Sequence, residues 1–218
     1  MPTAEFARQV DRLVALGYPG LLDVSPDAFR RSLEPLAAQL DARAAQGGAT
    51  SDGGTGSDGT VDYVIVIDAP MLSQSDLIPL IERRGLAATE NLYPREVKDF
   101  SPIESVDLPA GDAYVLLDVD RGAETIDVTP NDAYERIARR GRSGLTIAEG
   151  LALLTHYPEF LQPNNCFSML ASRAGDKRVP ALWLSDKRPK LGWCWAGNPH
   201  TWLGSASCGE RIGAGVRF

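Results

Sequence analysis

The residues best suited to chemistry are concentrated in the last quarter of the chain. All four tryptophans and all three cysteines lie between residues 166 and 208, together with His200, one of only two histidines. A cysteine thiolate can act as a nucleophile or bind a metal, an imidazole can act as a base, and an indole stacks on planar ligands. The sequence therefore places the candidate functional site in this C-terminal region.

A cysteine–histidine pair is one candidate for catalysis. Cys208 lies in a Gly/Ser-rich stretch, and Cys194 precedes His200 by six residues. A base within hydrogen-bond reach of either thiol would generate a thiolate for acyl or phosphoryl chemistry. If the protein is a small enzyme, the sequence predicts Cys208 or Cys194 with His200 as its catalytic residues. Buried structural cysteines are the competing interpretation.

Metal binding is a weaker hypothesis. Three thiolates and an imidazole suit structural zinc, but zinc modules usually bring their ligands in close pairs, and the chain contains no Cys-x-x-Cys. Three acids at the ends of predicted strands would suit Mg²⁺, which prefers oxygen ligands: Asp68, Asp118 and Asp120. An Asp that ends a strand in a turn is the commoner arrangement, so no metal site is predicted.

A recognition surface for an anion is the favoured hypothesis. Strand alternation would place Trp193 and Trp195 on one face, with Cys194 opposite. Indoles stack on planar ligands, while Arg and Lys bind phosphates or carboxylates. The predicted ligand-binding residues are Arg173, Arg178, Lys190, Trp193, Trp195, Asn198 and Trp202. They predict a binding protein for an anionic, planar small molecule or nucleotide, although a hydrophobic core would also bury such tryptophans.

Charge is divided unevenly along the chain. The net charge is −7, but residues 161–218 carry eight Lys or Arg against three Asp or Glu. A positive end suits an anionic ligand, whereas the acidic chain as a whole argues against nucleic acid as the partner. The sequence has no apolar run of membrane-spanning length and no paired-cysteine framework, so we expect a cytoplasmic protein without a membrane partner.

The elements that position these residues follow an α+β pattern. Periodicity or capping residues predict helices at residues 4–16, 26–45, 73–84, 129–141 and 147–157. Apolar and β-branched runs predict strands at residues 61–67, 114–119, 166–171, 179–184 and 190–195. The Gly/Ser-rich remainder is predicted as loop. Helices gathered before a terminal run of strands indicate an α+β fold with a small mixed sheet.

Composition also predicts how the chain is divided. Residues 1–46 are expected to form an N-terminal helical segment. Residues 47–60 contain no large apolar side chain and are expected to be a flexible Gly/Ser/Asp linker. Residues 61–218 are then expected to form a single α+β domain that ends in the Trp/Cys-rich strands.

Several motifs resemble those of a known protein family. They are Ala69-Pro-Met-Leu-Ser73, Asp118-Val-Asp-Arg-Gly122, Thr146-Ile-Ala-Glu-Gly150 and the runs within residues 164–208. This pattern is similar to an actinobacterial family catalogued as domain of unknown function 5701, and the similarity covers residues 62–208. That family has no assigned activity, so the resemblance implies a bacterial, cytoplasmic protein and carries over no catalytic residue.

Overall fold

The computed structural model describes residues 3–45 and 59–218. The linker predicted at residues 47–60 therefore falls almost entirely outside the described residues. The helices and small sheets of the described ranges confirm the α+β class predicted from the sequence. None of the described helices is both long and apolar enough to cross a membrane.

The described residues contain six α-helices and fourteen strands. The helices are Ala4–Ala15 (α1), Tyr18–Leu21 (α2), Pro26–Ala45 (α3), Gln74–Leu77 (α4), Pro130–Arg139 (α5) and Ile147–His156 (α6). The strands are Thr60–Ile67 (β1), Glu82–Arg83 (β2), Leu86–Ala87 (β3), Thr89–Glu90 (β4), Ser101–Pro102 (β5), Ala113–Asp120 (β6), Ser143–Gly144 (β7), Cys166–Ser168 (β8), Ser172–Arg173 (β9), Arg178–Ser185 (β10), Arg188–Trp195 (β11), Leu203–Ser205 (β12), Ser207–Cys208 (β13) and Glu210–Gly213 (β14). Single turns of 3-10 helix lie at Ile78–Leu80, Val97–Asp99, Ala123–Thr125 and Pro158–Phe160.

The first sheet is built around β6. Its order is β1-β6-β13-β7, and β14 also pairs with β6. β1 and β6 are antiparallel, with Val64 opposite Leu116. β13 meets β6 at Asp120, and β14 meets it further along the same strand. Gly209 joins these two short strands, and its N–H donates to the carbonyl of Leu117 at 3.0 Å.

The second sheet carries most of the predicted site residues. Its order is β12-β8-β10-β11-β4, in which β10 and β11 form an antiparallel hairpin. Its turn has positive φ at both Asp186 and Lys187, 51° and 67°, as a two-residue type I′ turn requires. The open end of the hairpin, opposite the turn, places Arg178 across from Trp195.

The first sheet separates two hydrophobic cores. The face that carries Tyr63, Ile65 and Val115 packs against α1, α2 and α3. The opposite face packs against α6 and the second sheet. Every residue of α6 is buried, so this helix lies inside the larger core. The N-terminal helices thus share a core with β1 and β6, and the predicted division at residue 61 stays a prediction.

Two buried side chains protect the edge of β1. The side-chain amide of Gln9 donates to the carbonyl of Tyr63 at 3.1 Å and accepts from the N–H of Ile65 at 2.8 Å. The Nε2 of His156 lies 3.0 Å from the carbonyl oxygen of Ile65. An unpaired strand edge leaves backbone groups unsatisfied. Gln9 and His156 therefore tie α1 and α6 to this edge.

Two predicted elements differ from the structure. The helix expected over residues 73–84 is only the single turn of α4, followed by a 3-10 turn and the β2–β3 hairpin. Pro79 has no N–H for a helical hydrogen bond, and Gly85 turns the chain with a φ of 75°. The C-terminal stretch expected as loop instead forms β12, β13 and β14, because its backbone pairs with strands of both sheets.

Candidate ligand-binding site

All three cysteines are buried, and they belong to different strands. Cys208 lies on β13 in the first sheet, whereas Cys166 and Cys194 lie on β8 and β11 in the second. Burial raises the pKa of Cys194 and that of Cys208 to about 12, so both thiols are protonated near neutral pH. Within residues 3–45 and 59–218, no three His, Cys, Asp or Glu side chains are arranged to hold a metal ion.

His200 lies in the turn that precedes β12. Its carbonyl accepts from the N–H of Asp127 at 3.0 Å, and its ring centroid is 5.4 Å from that of Trp202. Among the contacts of the described residues, its ring makes no hydrogen bond with Cys194 or Cys208. The predicted Cys–His pair stays a prediction, and protonated, buried thiols are poor nucleophiles.

The hairpin of β10 and β11 divides the predicted ligand-binding residues between its two faces. Cross-strand pairing places Trp183 beside Lys190 on one face, which we call the pocket face. Arg178, Trp193 and Trp195 lie on the other face, which we call the arginine–tryptophan face. Trp193 and Trp195 thus share a face as strand alternation predicts, and Lys190 is separated from them.

The pocket face borders an open cavity of about 310 Å³, which we call the indole pocket. Its lining residues are Pro163, Asn164, Cys166, Trp183, Leu184 and Trp202. The two indoles meet edge to face, with ring centroids 6.1 Å apart and an angle of 67° between the rings. Apolar walls with a few polar groups are typical of small-molecule sites.

None of the described residues that line the indole pocket is negatively charged. The thiol of Cys166 donates to the carbonyl of Gln162 at 3.4 Å, and burial raises its pKa. Lys190 is the cross-strand neighbour of Trp183, and Arg188 precedes Lys190 on the same face. Neither cation forms an ion pair with another described residue, and no carboxylate lines the pocket. This face therefore favours a negatively charged ligand.

Gly192 makes room for one wall of the indole pocket. A Cβ atom at residue 192 would lie 2.1 Å from the Cη2 of Trp183. The indole therefore lies directly on the backbone of β11, where any side chain at residue 192 would collide with it. The glycine fixes the position of the Trp183 ring.

On the arginine–tryptophan face, one guanidinium stacks on two indoles. The guanidinium carbon of Arg178 lies 4.7 Å from the ring centroid of Trp193 and 5.0 Å from that of Trp195. Asp176 pairs with Arg178 at 2.6 Å and with Arg95 at 2.9 Å. Because a carboxylate already neutralises Arg178, this cation is less available to a ligand than Lys190.

Two predicted ligand-binding residues, Arg173 and Asn198, are not among those that line the indole pocket. Arg173 is on β9, where its Nη1 donates to the carbonyls of Leu170 and Ser172. Asn198 is exposed in the turn after β11, where its N–H donates to the carbonyl of Trp195. The structure therefore distributes the predicted ligand-binding residues over several places.

The residues that complete the indole pocket are absent from the predicted set. Trp183 and Cys166 face it from β10 and β8. The signal that could have identified Trp183 is the two-residue turn at Asp186 and Lys187. This turn sets the register of β10 against β11, and that register places Trp183 beside Lys190. Cys166 carries no comparable signal, since its neighbours come from separate segments.

Comparison with known proteins identifies the family of the chain. No curated protein and no solved structure matches it. One family model matches residues 12–214, a span that includes both sheets and the whole indole pocket. The motifs at residues 69–73, 118–122 and 146–150 lie within this span. The chain belongs to the family of unknown function DUF5701.

Proposed function

We propose that this protein binds a planar, anionic small molecule, such as a nucleotide, in the indole pocket. The observation that carries the proposal is the meeting of two indoles around an open cavity that no described carboxylate lines. Stacking of a base on an aromatic side chain contributes about 1–3 kcal/mol. Two rings at 67° present one ring face and one ring edge to the same ligand.

Size and charge define the class of ligand. A volume of about 310 Å³ is at the lower end of small-molecule sites, so the pocket suits one ring system rather than a dinucleotide. Lys190 and Arg188 lie on the same face as Trp183 and form no ion pair with the described residues. They support a phosphate or carboxylate group that extends from the bound ring.

Tryptophan fluorescence with matched variants tests the proposal. Nucleoside monophosphates and aromatic carboxylates are titrated into the protein, and we expect quenching that weakens as salt increases. Trp202→Ala and Lys190→Gln should each reduce the affinity roughly tenfold, because they remove a ring wall or a cation. Trp195→Ala is the control, since it removes an indole from the opposite face and should leave the affinity unchanged.

Two results would contradict the proposal. One is the absence of ligand-dependent quenching across this set of compounds. The other is an equal loss of affinity in Trp195→Ala and Trp202→Ala, because the ligand would then not be bound specifically in the indole pocket.

A cysteine enzyme is less well supported as an alternative. Burial raises the pKa of both Cys208 and Cys194 to about 12, and neither thiol contacts His200 among the described residues. We expect both to react slowly with an alkylating agent near neutral pH until the protein is unfolded. Rapid alkylation that a His200→Ala change slows would favour the enzyme instead.

The proposal includes a cytoplasmic location in an actinobacterium. The three cysteines are free, which is typical of a reducing compartment. The family motifs at residues 69–73 and 118–122 support the source. The net charge of −7 supports a small-molecule ligand rather than a nucleic-acid partner, which would be repelled by the acidic chain.

A further inference from the structure

Arg173 is a half-buried cation without a carboxylate partner in the part of the chain that the structure describes. Its guanidinium forms no ion pair with any described residue. Four other buried or half-buried arginines, Arg83, Arg142, Arg178 and Arg211, each contact an Asp or Glu side chain. Arg188, which is also half-buried, forms no ion pair with a described residue. Burial lowers the pKa of Arg173, because it removes water from the charged group. An anion bound beside this guanidinium would compensate the buried charge.

The orientation of the guanidinium leaves one edge available. Its Nη1 donates to the carbonyl oxygens of Leu170 at 2.5 Å and Ser172 at 2.9 Å. Nε and Nη2 bind no described residue, and they are not sealed in the interior as the Nε atoms of Arg83 and Arg178 are. The Nε–Nη2 edge is suited to two parallel hydrogen bonds with a carboxylate or phosphate.

Two hydroxyl groups lie in the same region. Ser105 follows β5, which pairs with Arg173 on β9, and Tyr134 on α5 is within electrostatic range of Arg173. The Tyr134 hydroxyl lies 2.8 Å from the Oγ of Ser105. In such a pair one hydroxyl donates to the other, and one hydroxyl hydrogen stays available for a further acceptor. The region therefore offers hydroxyl donors in addition to the guanidinium.

Backbone hydrogen bonds hold these segments in place. The N–H of Asn131 donates to the carbonyl of Ala196 at 3.1 Å, which fixes the start of α5 beside the end of β11. The N–H of Ile103 donates to the carbonyl of Ala171 at 2.9 Å, which fixes the segment after β5 beside β9. β5 and β9 also pair with each other. Donors on anchored elements lose little freedom when a ligand binds.

We infer that Arg173, with Tyr134 and Ser105, forms a binding site for an oxyanion, a phosphate or carboxylate group. The site lies beside the open end of the β10–β11 hairpin, whereas the indole pocket borders residues 183 and 184 near its turn. It does not depend on the proposed function. The exposed Glu104, next to Ser105, forms no ion pair with Arg173, so no carboxylate of residues 3–45 or 59–218 neutralises the guanidinium charge.

Titration of inorganic phosphate into the whole chain at constant ionic strength tests this inference. The readout is the NMR shift of backbone amides at residues 171–174 and 134. We expect saturable shifts in the wild type and roughly tenfold weaker binding in Arg173→Gln, which loses the charged pair of hydrogen bonds. Tyr134→Phe should weaken binding to a smaller extent. Arg84→Gln removes an exposed cation that already pairs with Glu159, and it should leave phosphate binding unchanged.

Three outcomes would overturn the inference. They are a wild type without saturable shifts, an Arg173→Gln variant that binds phosphate as the wild type does, and an equal loss of affinity in Arg84→Gln. If Arg173→Gln does not fold, Arg173→Lys keeps the charge but cannot form the two parallel hydrogen bonds. Wild-type affinity in both Arg173→Lys and Tyr134→Phe would then be the contradicting result. None of these outcomes changes the fluorescence test of the indole pocket.

Discussion

Protonation of His156 is expected to destabilise the protein in mild acid. The imidazole is buried at the end of α6, with its Nε2 3.0 Å from the carbonyl oxygen of Ile65. Its Nδ1 is buried and has no hydrogen-bond partner among the described residues. In the neutral tautomer with hydrogen on Nε2, Nδ1 has no hydrogen to donate. Protonation would place a charged N–H without an acceptor in the core, which is costly.

The size of this effect follows from the pKa. Burial lowers the pKa of His156 to about 3, and the guanidiniums of Arg8 and Arg12 act in the same direction, while Glu5 opposes them. An unfolded histidine has a pKa of about 6.5. Because the folded pKa is the lower one, the unfolded state binds the proton first, and stability is lost as the pH decreases from about 6.5 to 3. The total loss is on the order of 4–5 kcal/mol.

Urea denaturation at several pH values measures this effect. In a His200→Gln background, where His156 is the only histidine, the free energy of unfolding should fall by about 1 kcal/mol per pH unit between pH 6 and pH 5. His156→Gln keeps an amide donor for the Ile65 carbonyl and cannot be protonated in this range, so this contribution should disappear.

The comparison between the two variants isolates the histidine from the carboxylates. Burial raises the pKa of Asp68 and that of Glu90, so their protonation favours the folded state as the pH falls and acts against His156. These carboxylates are present in both variants. The same pH dependence with and without His156, or an NMR titration that protonates His156 near pH 6.5 in the folded protein, would refute the reasoning.

Three further substitutions test contacts that hold the fold and the pocket. Gln9→Leu leaves two backbone groups of β1 unpaired and should lower the free energy of unfolding, measured in urea, by about 2–4 kcal/mol. The exposed control Gln39→Ala should change it little. Equal effects of the two substitutions would contradict the role of Gln9 at the edge of β1. Glu149→Gln leaves the buried guanidinium of Arg211 without its counter-charge, so the free energy of unfolding should fall by about 3–5 kcal/mol. A variant as stable as the wild type would contradict a stabilising role for this ion pair. Gly192→Ala should displace the Trp183 indole, which changes the near-ultraviolet circular dichroism and weakens ligand binding. Gly197 has open space around it, so the control Gly197→Ala should change neither the spectrum nor the affinity.

Local capping chemistry made several elements predictable from the sequence. The N–H of Glu149 donates to the hydroxyl of Thr146 at 3.3 Å, and the N–H of Thr146 donates to the Glu149 carboxylate at 2.7 Å, so the predicted capping box is formed. Thr129 accepts from the N–H of Asp132 and begins α5 in a similar way. These signals connect residues three positions apart, and they need no tertiary information. Apolar runs predicted β1 and β6 for a similarly local reason.

Glu149 also makes contacts that local sequence signals do not predict. Besides its capping role, the Glu149 carboxylate pairs with Arg211 at 2.5 Å and accepts from the hydroxyl of Tyr114 at 3.0 Å. Arg211 belongs to β14, in the stretch whose composition predicted loop. A short strand of this kind exists because a longer strand offers it a partner, so its own residues carry little β signal. The buried ion pair could therefore not be predicted before the sheet was known.

Hairpin register, rather than composition, decides which tryptophans share a site. Trp193 and Trp195 alternate along one strand, so periodicity alone groups them. Trp183 and Trp202 come from separate segments and meet only in the folded chain. The pair that is conspicuous in the sequence already stacks against Arg178, whereas the pair assembled by the fold borders an open cavity. A cluster of rare residues along a chain therefore identifies a region, and the register of its strands must then assign each side chain to a face before a binding site can be chosen.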